Sequence, residues 1–176
     1  MQKNHLEHQL GSTHPSVTLL EYGDFECPYC GKFDLVVQKL LKEFPINLGY
    51  KFRHFPLVNI HPDSGLAAMA AEAAGLQNKY WQMHHLLFSH QDNLSGAEIL
   101  KMAKRIGLNE KIFQADLESD DLWNKIQEHI QAGIMAQVNG TPSLYLNNEM
   151  YEGSSSYESL KKEIEKIILG ENSKFI

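Results

Sequence analysis

Strand-like segments lie near both ends of this chain, and what lies between them reads as helix. Val17-Thr18-Leu19-Leu20-Glu21-Tyr22 is a short apolar run of the kind that forms a buried strand. Residues 46–55 alternate, with Ile46, Leu48, Tyr50 and Phe52 on one face. Between these runs, Phe33, Leu35, Val36, Val37, Leu40 and Leu41 recur at helical spacing. They predict a helix over residues 28–43 that stops before Phe44-Pro45, because a proline pushes its predecessor out of helical geometry. A strand, a helix and a strand this closely spaced make a parallel, right-handed βαβ unit. Near the other end, residues 143–146 and 149–152 flank Asn147-Asn148, a two-residue hairpin signal. A last amphipathic helix follows, carrying Leu160, Ile164, Ile167 and Ile168 and closed by Gly170. One sheet is therefore assembled from both ends of the chain, with a helical block inserted as a cap.

Within that block, residues 64–76 are alanine-rich, good helix with small side chains for close packing. Asn78 is the expected cap of a helix with Trp81, His84, His85 and Phe88 on one side. Ser95-Gly96-Ala97-Glu98 and Ser155-Ser156-Tyr157-Glu158 carry the capping-box pattern. Asn109 and Ser119 open two further helices. The expected organisation is a flexible segment over 1–14, a discontinuous core over 15–60 and 138–170, a helical insertion over 61–137 and a tail over 171–176.

The chain's only two cysteines stand in Cys27-Pro28-Tyr29-Cys30, where the first strand hands over to the first helix. A helix N-terminus presents free backbone N–H groups and the positive end of the peptide dipoles. A thiolate at Cys27 is stabilised there, so its pKa should fall from about 8.5 into the range of roughly 3.5–7.5. Pro28 suits the first turn, where its missing N–H costs nothing. A single C-x-x-C is a redox pair or half of a metal site. A structural zinc site needs four ligands, typically two close pairs, and only one cysteine pair exists here. His84 and His85 are adjacent and should point to different sides of a helix. No metal is expected, and Trp81 and His84 are assigned to the surface and core of the helical block.

The net charge of −6 and the lack of a basic patch argue against nucleic acid or an anionic membrane surface as partner. No window approaches the roughly eighteen apolar residues that would suggest membrane insertion. The first nine residues lack the apolar core of a signal peptide, which points to the cytoplasm. A chain whose signal had been removed and replaced by Met would look the same, and would be exported.

The order of elements together with Cys-Pro-Tyr-Cys resembles the thioredoxin fold, and the helical insertion makes the chain resemble the DsbA-like thiol-disulfide oxidoreductases. The resemblance runs from about Gly11 to Ile168. It is carried by residues 17–31, by Phe52-Arg53-His54-Phe55-Pro56-Leu57 and by Gly140-Thr141-Pro142-Ser143. It implies an α/β thioredoxin fold, β-α-β … β-β-α about a central mixed sheet. It implies that Pro142 is cis and faces the cysteine pair. Thr141 and Pro142 then form a platform beside Pro28 and Tyr29, where a substrate chain can pair as an extra strand. Cys27, at the helix mouth, is the expected attacking thiol, and Cys30, one turn in, the resolving thiol. Their partners would be protein or peptide thiols and disulfides and an unidentified redox partner. Glu21 lies six residues before Cys27 inside an apolar strand. In the family, an acid at this spacing sits beneath the disulfide and handles the resolving thiol's proton; burial would raise its pKa. Tyr29 stands where the best-known exported oxidants carry histidine, and should stabilise the thiolate less than an imidazolium would. No cofactor beyond the Cys27–Cys30 couple and a monomeric state are expected. The rival reading is a peptide-binding or chaperone-like module in which the thiols are secondary; it should keep its function when both cysteines are removed.

Overall fold

The computed structural model describes residues 7–170. The expectations for the first six residues and for the tail lie outside them. Its first element, β1 (Gln9–Gly11), falls where only a flexible segment is expected; its three residues are too short to show a period. β1 pairs antiparallel with β3 (Leu48–His54), Gln9 opposite Lys51, and Glu7 adds ion pairs to Lys51 and Arg53. β2 (Val17–Gly23), α1 (Pro28–Glu43) and β3 form the expected βαβ unit, with Val17 opposite Leu48 and Gly23 opposite His54. Ile46 is no part of β3: the N–H groups of Asn47 and Leu48 both bond the Phe44 carbonyl, and this turn leaves Ile46 77% exposed.

The helical block is α2 (Ser64–Leu76), α3 (Tyr80–Ser89), α4 (Gly96–Arg105), α5 (Glu110–Asp116) and α6 (Asp120–Met135). Asn109 and Ser119 cap α5 and α6, accepting from the N–H groups of Ile112 and Leu122. Asn78 does not cap α3. It ends α2 instead, at φ 61°, a left-handed conformation that asparagine tolerates better than most residues. Ser95 donates its hydroxyl to Asn93 Oδ1, so the capping box before α4 does not form. The chain returns through β4 (Ser143–Leu146) and β5 (Glu149–Met150), joined by Asn147 and Asn148 at φ 47° and 69°. Both are left-handed, as a type I′ turn requires. α7 (Tyr157–Ile168) is capped by Ser156, one residue later than expected.

The five strands form one mixed sheet in the order β1-β3-β2-β4-β5, with β2 and β3 parallel and β4 antiparallel to β2. This is the expected thioredoxin fold with helices inserted between β3 and β4. Sheet and helical block share a continuous apolar core, in which Leu19, Phe33, Leu48 and Tyr50 meet Ala67, Met83, Ile99 and Phe113. Gly133 brings α6 close to the sheet: a Cβ there would lie 2.8 Å from the Phe55 ring. Buried Glu72 of α2 joins the layers electrostatically. Its carboxylate accepts from Lys125 Nζ of α6 at 2.7 Å and lies 3.0 Å from His54 Nε2 of β3. Burial opposes a charge on Glu72, yet bonds to His54 and His8 and the nearby Lys125 hold its pKa well below the usual carboxylate range.

Candidate active site

β2 delivers the chain to the mouth of α1, and Cys27 is the helix N-cap, with φ −70° and ψ 118°. Asp24 fixes the connecting loop. Its carbonyl accepts from the Cys27 N–H at 3.1 Å. Its carboxylate accepts from the N–H groups of Glu26 and Leu57, each at 2.8 Å, and stands 2.7 Å from the His61 ring. Burial opposes a charge on His61, but the bond to Asp24 raises its pKa above the ordinary histidine value. The helical block contributes Gln91, whose side-chain amide donates to the carbonyls of Phe25 and Cys27 at 2.7 and 2.8 Å.

Gln91 can come so close because residue 31 is glycine; a Cβ there would lie 2.1 Å from Gln91 Oε1. Gly31→Ala sets two effects against each other. Helix propensity favours alanine by about 0.5–1 kcal/mol. Expelling Gln91 costs two hydrogen bonds at about 0.5–1.5 kcal/mol each. The net expectation is a loss of about 1 kcal/mol in urea denaturation; a stabilised variant would show that Gln91 does not staple this loop.

Cys27 and Cys30 are not joined by a disulfide, and they are 4% and 0% exposed. Cys27 Sγ lies 3.3 Å from the Thr141 carbonyl oxygen, to which its thiol form donates, and the Thr141–Pro142 peptide is cis. Cys27, Cys30, Thr141 and Pro142 therefore meet at one point, from opposite ends of the chain. A hydrogen bond from the Cys30 thiol holds the Cys27 pKa down at about 5, against the cost of burial. The N–H groups of Cys30 and Tyr29 add to it. Burial drives the Cys30 thiol far above its ordinary value, reinforced by its bond to Cys27 and by the charge of Glu21. The two sulfurs are thus pushed in opposite directions, Cys27 towards the thiolate and Cys30 towards the thiol.

Glu21 lies wholly buried on β2, opposite Phe52 and Leu144. Tyr50 donates its hydroxyl to Glu21 Oε2 at 2.6 Å, and Oε1 has no partner among the described residues. Burial raises the Glu21 pKa to about 8. Pro28 takes the first helical position and Tyr29 points outward, 68% exposed, with Lys32 Nζ 5.7 Å from its ring centre. A groove of about 310 Å³ runs from Tyr29 past Asn139, Pro142 and Ser143 to Met150 and Tyr151. Asp24, Gln91 and Tyr50 are not among the site residues expected from the sequence. A glycine inside the first turn of a good helix is the one signal that pointed toward Gln91.

The family model described as Thioredoxin matches residues 3–166. The chain belongs to the thioredoxin family. Its fold is shared with a thioredoxin-like oxidoreductase from Silicibacter pomeroyi, 27% identical, with a TM-score of 0.83 over 93% of this chain and 92% of that one. BdbD from Bacillus subtilis is 23% identical with a TM-score of 0.83, covering 93% of this thioredoxin-family chain and 94% of its own. The thiol-disulfide exchange protein alpha-DsbA2 from Wolbachia pipientis is 24% identical with a TM-score of 0.82, over 93% and 88%. The fold is thus the DsbA-like one that the sequence resembles. By sequence, the chain is 38% identical over 164 residues to a protein of Salinispora arenicola named Na(+)/H(+) antiporter NhaA 1. That match covers 93% of this chain but 25% of the antiporter. A Salinispora tropica protein named Na(+)/H(+) antiporter NhaA 3 is 38% identical over 88% of this chain and 24% of its own length. The chain spans about a quarter of the length of the curated relatives it matches. No helix among the described residues is long and apolar enough to cross a membrane.

Proposed function

We propose that this thioredoxin-family chain is a thiol-disulfide oxidoreductase that exchanges disulfides with protein or peptide thiols through the Cys27–Cys30 couple. The observation that carries the proposal is the placement of Cys27 at the mouth of α1, against the Thr141 carbonyl of a cis Thr141–Pro142 turn, with Cys30 wholly buried behind it; their surroundings push the Cys27 pKa down and the Cys30 pKa up. In the reducing direction the Cys27 thiolate attacks a substrate disulfide. One substrate sulfur leaves as thiolate and a mixed disulfide forms. Cys30 then gives its proton to Glu21 in its ionised form, which grows as pH rises towards about 8, and attacks Cys27 Sγ. The second substrate sulfur leaves and the Cys27–Cys30 bond closes, so the substrate gains the two electrons that the couple loses. The oxidising direction reverses each step. The groove from Tyr29 to Tyr151 receives the substrate chain in extended form, and Thr141 offers it backbone groups.

A Cys27 pKa of about 5 lies between roughly 7 for thioredoxin and roughly 3.5 for DsbA. Stabilising the reduced form makes the disulfide more oxidising, so the couple should have a potential between about −270 and −120 mV. A cytosolic glutathione poise near the lower end of that range favours the dithiol; an oxidising compartment favours disulfide donation. Equilibration against glutathione measures the potential, and reduction of insulin disulfides measures turnover. A potential more negative than that of thioredoxin, or no turnover by the reduced protein, contradicts the proposal.

A further inference from the structure

A second cluster of ligating side chains lies one helical turn beyond Cys30. Asp34 of α1 is buried, and it faces His84 and His85 of α3 beside a pocket of about 530 Å³ between the two helices. We propose that Asp34, His84 and His85 bind a divalent transition-metal ion of the zinc class, with its fourth position open to this pocket.

The geometry carries the proposal. One ligand atom from each residue lies within 4.8 Å of the other two. Asp34 Oδ1 is 3.2 Å from His85 Nδ1 and 3.7 Å from His84 Nδ1. Ligands held tetrahedrally at about 2.0–2.1 Å from one ion stand about 3.4 Å apart. Adjacent histidines are expected to diverge on a helix. Here the two rings are near-perpendicular, at 89°, yet both Nδ1 atoms turn to the same carboxylate.

A second observation points to a missing ligand. His84 is 0% exposed, and neither of its ring nitrogens has a hydrogen-bond partner among the described residues. Asp34 Oδ1 likewise makes no hydrogen bond there. A buried imidazole left unpaired is costly and calls for an explanation. A cation between His84 Nδ1 and Asp34 Oδ1 satisfies both atoms at once. Phe52 and Phe88 stand nearly perpendicular to the His84 ring, with centroids 4.9 Å away, and hold it in place. Gln38 donates to Asp34 Oδ2 at 2.7 Å and orients the carboxylate from behind.

Two imidazoles and one carboxylate favour zinc, cobalt or nickel over calcium or magnesium. His54, Glu72 and His129 also lie within ligating range of one another, but there Lys125 Nζ sits 2.7 Å from the Glu72 carboxylate and already supplies the cation. The described residues lining the pocket beside Asp34 include no lysine or arginine.

A reduced dithiol can compete for zinc, so the test uses the oxidised protein. Calorimetry with Zn²⁺ and visible absorption with Co²⁺ should each report one equivalent. His85 borders the pocket with its side chain 37% exposed, so His85→Ala should fold, which circular dichroism checks. It should bind at least about a hundredfold more weakly, and Gln38→Leu about 10–100-fold more weakly. His129→Ala should bind as the parent does. No binding by the oxidised parent, or unchanged binding by folded His85→Ala, overturns the proposal. So does loss of binding in His129→Ala alone, which moves the ion to the other cluster.

Discussion

Cys27→Ser is expected to abolish disulfide exchange, by at least about a thousandfold in insulin reduction, because the attacking atom is gone. The fold should survive, since Cys27 holds the helix N-cap position and serine, close to it in size, is itself a good cap. Cys30→Ser should behave differently. Its Cys27 can still attack, but a serine hydroxyl cannot resolve the mixed disulfide. The variant should lose steady-state turnover and accumulate a covalent adduct with the substrate, visible by mass spectrometry under non-reducing conditions. The asymmetry follows from the two thiols' surroundings: Cys27 stands against the Thr141 carbonyl, and Cys30 is fully buried behind it. An adduct on Cys27→Ser, formed through Cys30, would mean that the roles are reversed.

Glu21→Gln should produce the second large effect, on both stability and rate. The Glu21 pKa is raised from 4.5 to about 8 by burial, so the folded state prefers the neutral acid. This group then destabilises the fold as pH rises from the unfolded value through the folded one. The shift of 8 − 4.5 = 3.5 corresponds to about 5 kcal/mol as an order of magnitude, fully expressed only above pH 8. Cys27 works in the opposite sense. Its lowered pKa stabilises the reduced protein as pH rises above about 5, but that contribution is common to parent and variant and cancels in their difference. Denaturation of the two reduced proteins should therefore agree near pH 4 and diverge towards pH 9, with the Gln variant the more stable. Resolution by Cys30 should slow by about a hundredfold, the low end for loss of a general base. The pH–rate profile should lose its limb near the Glu21 pKa. An unchanged profile removes the proton-transfer role and leaves Glu21 as a buried acid that Tyr50 merely satisfies.

What could be read in the residues divides along the range of the interactions. β2, α1, α2 and the hairpin at Asn147-Asn148 follow from local pattern and turn chemistry, and the structure has them within a residue or two. β1 could not be read. Three residues show no period, and it exists because β3 offers it an edge. Asn78 ends α2 instead of opening α3 because one residue type favours both an N-cap and a left-handed helix end. The meeting of Cys27 with a cis Thr141–Pro142 turn is what the resemblance implies, through the Cys-Pro-Tyr-Cys and Gly-Thr-Pro segments that carry it. Asp24 and Gln91 were not legible. Gln91 acts on carbonyls 66 and 64 residues away, a placement that only the packed helical block determines. The convergence of His84 and His85 on Asp34 was hidden for a related reason: spacing sets where side chains start, and their rotamers decide where they end.

The account rests on an ionised sulfur at the mouth of α1. Ultraviolet absorbance of the thiolate in the reduced protein, followed against pH with Cys27→Ser as the blank, measures it directly. The expected midpoint is near pH 5. A midpoint at the ordinary thiol value of about 8.5 would contradict the account.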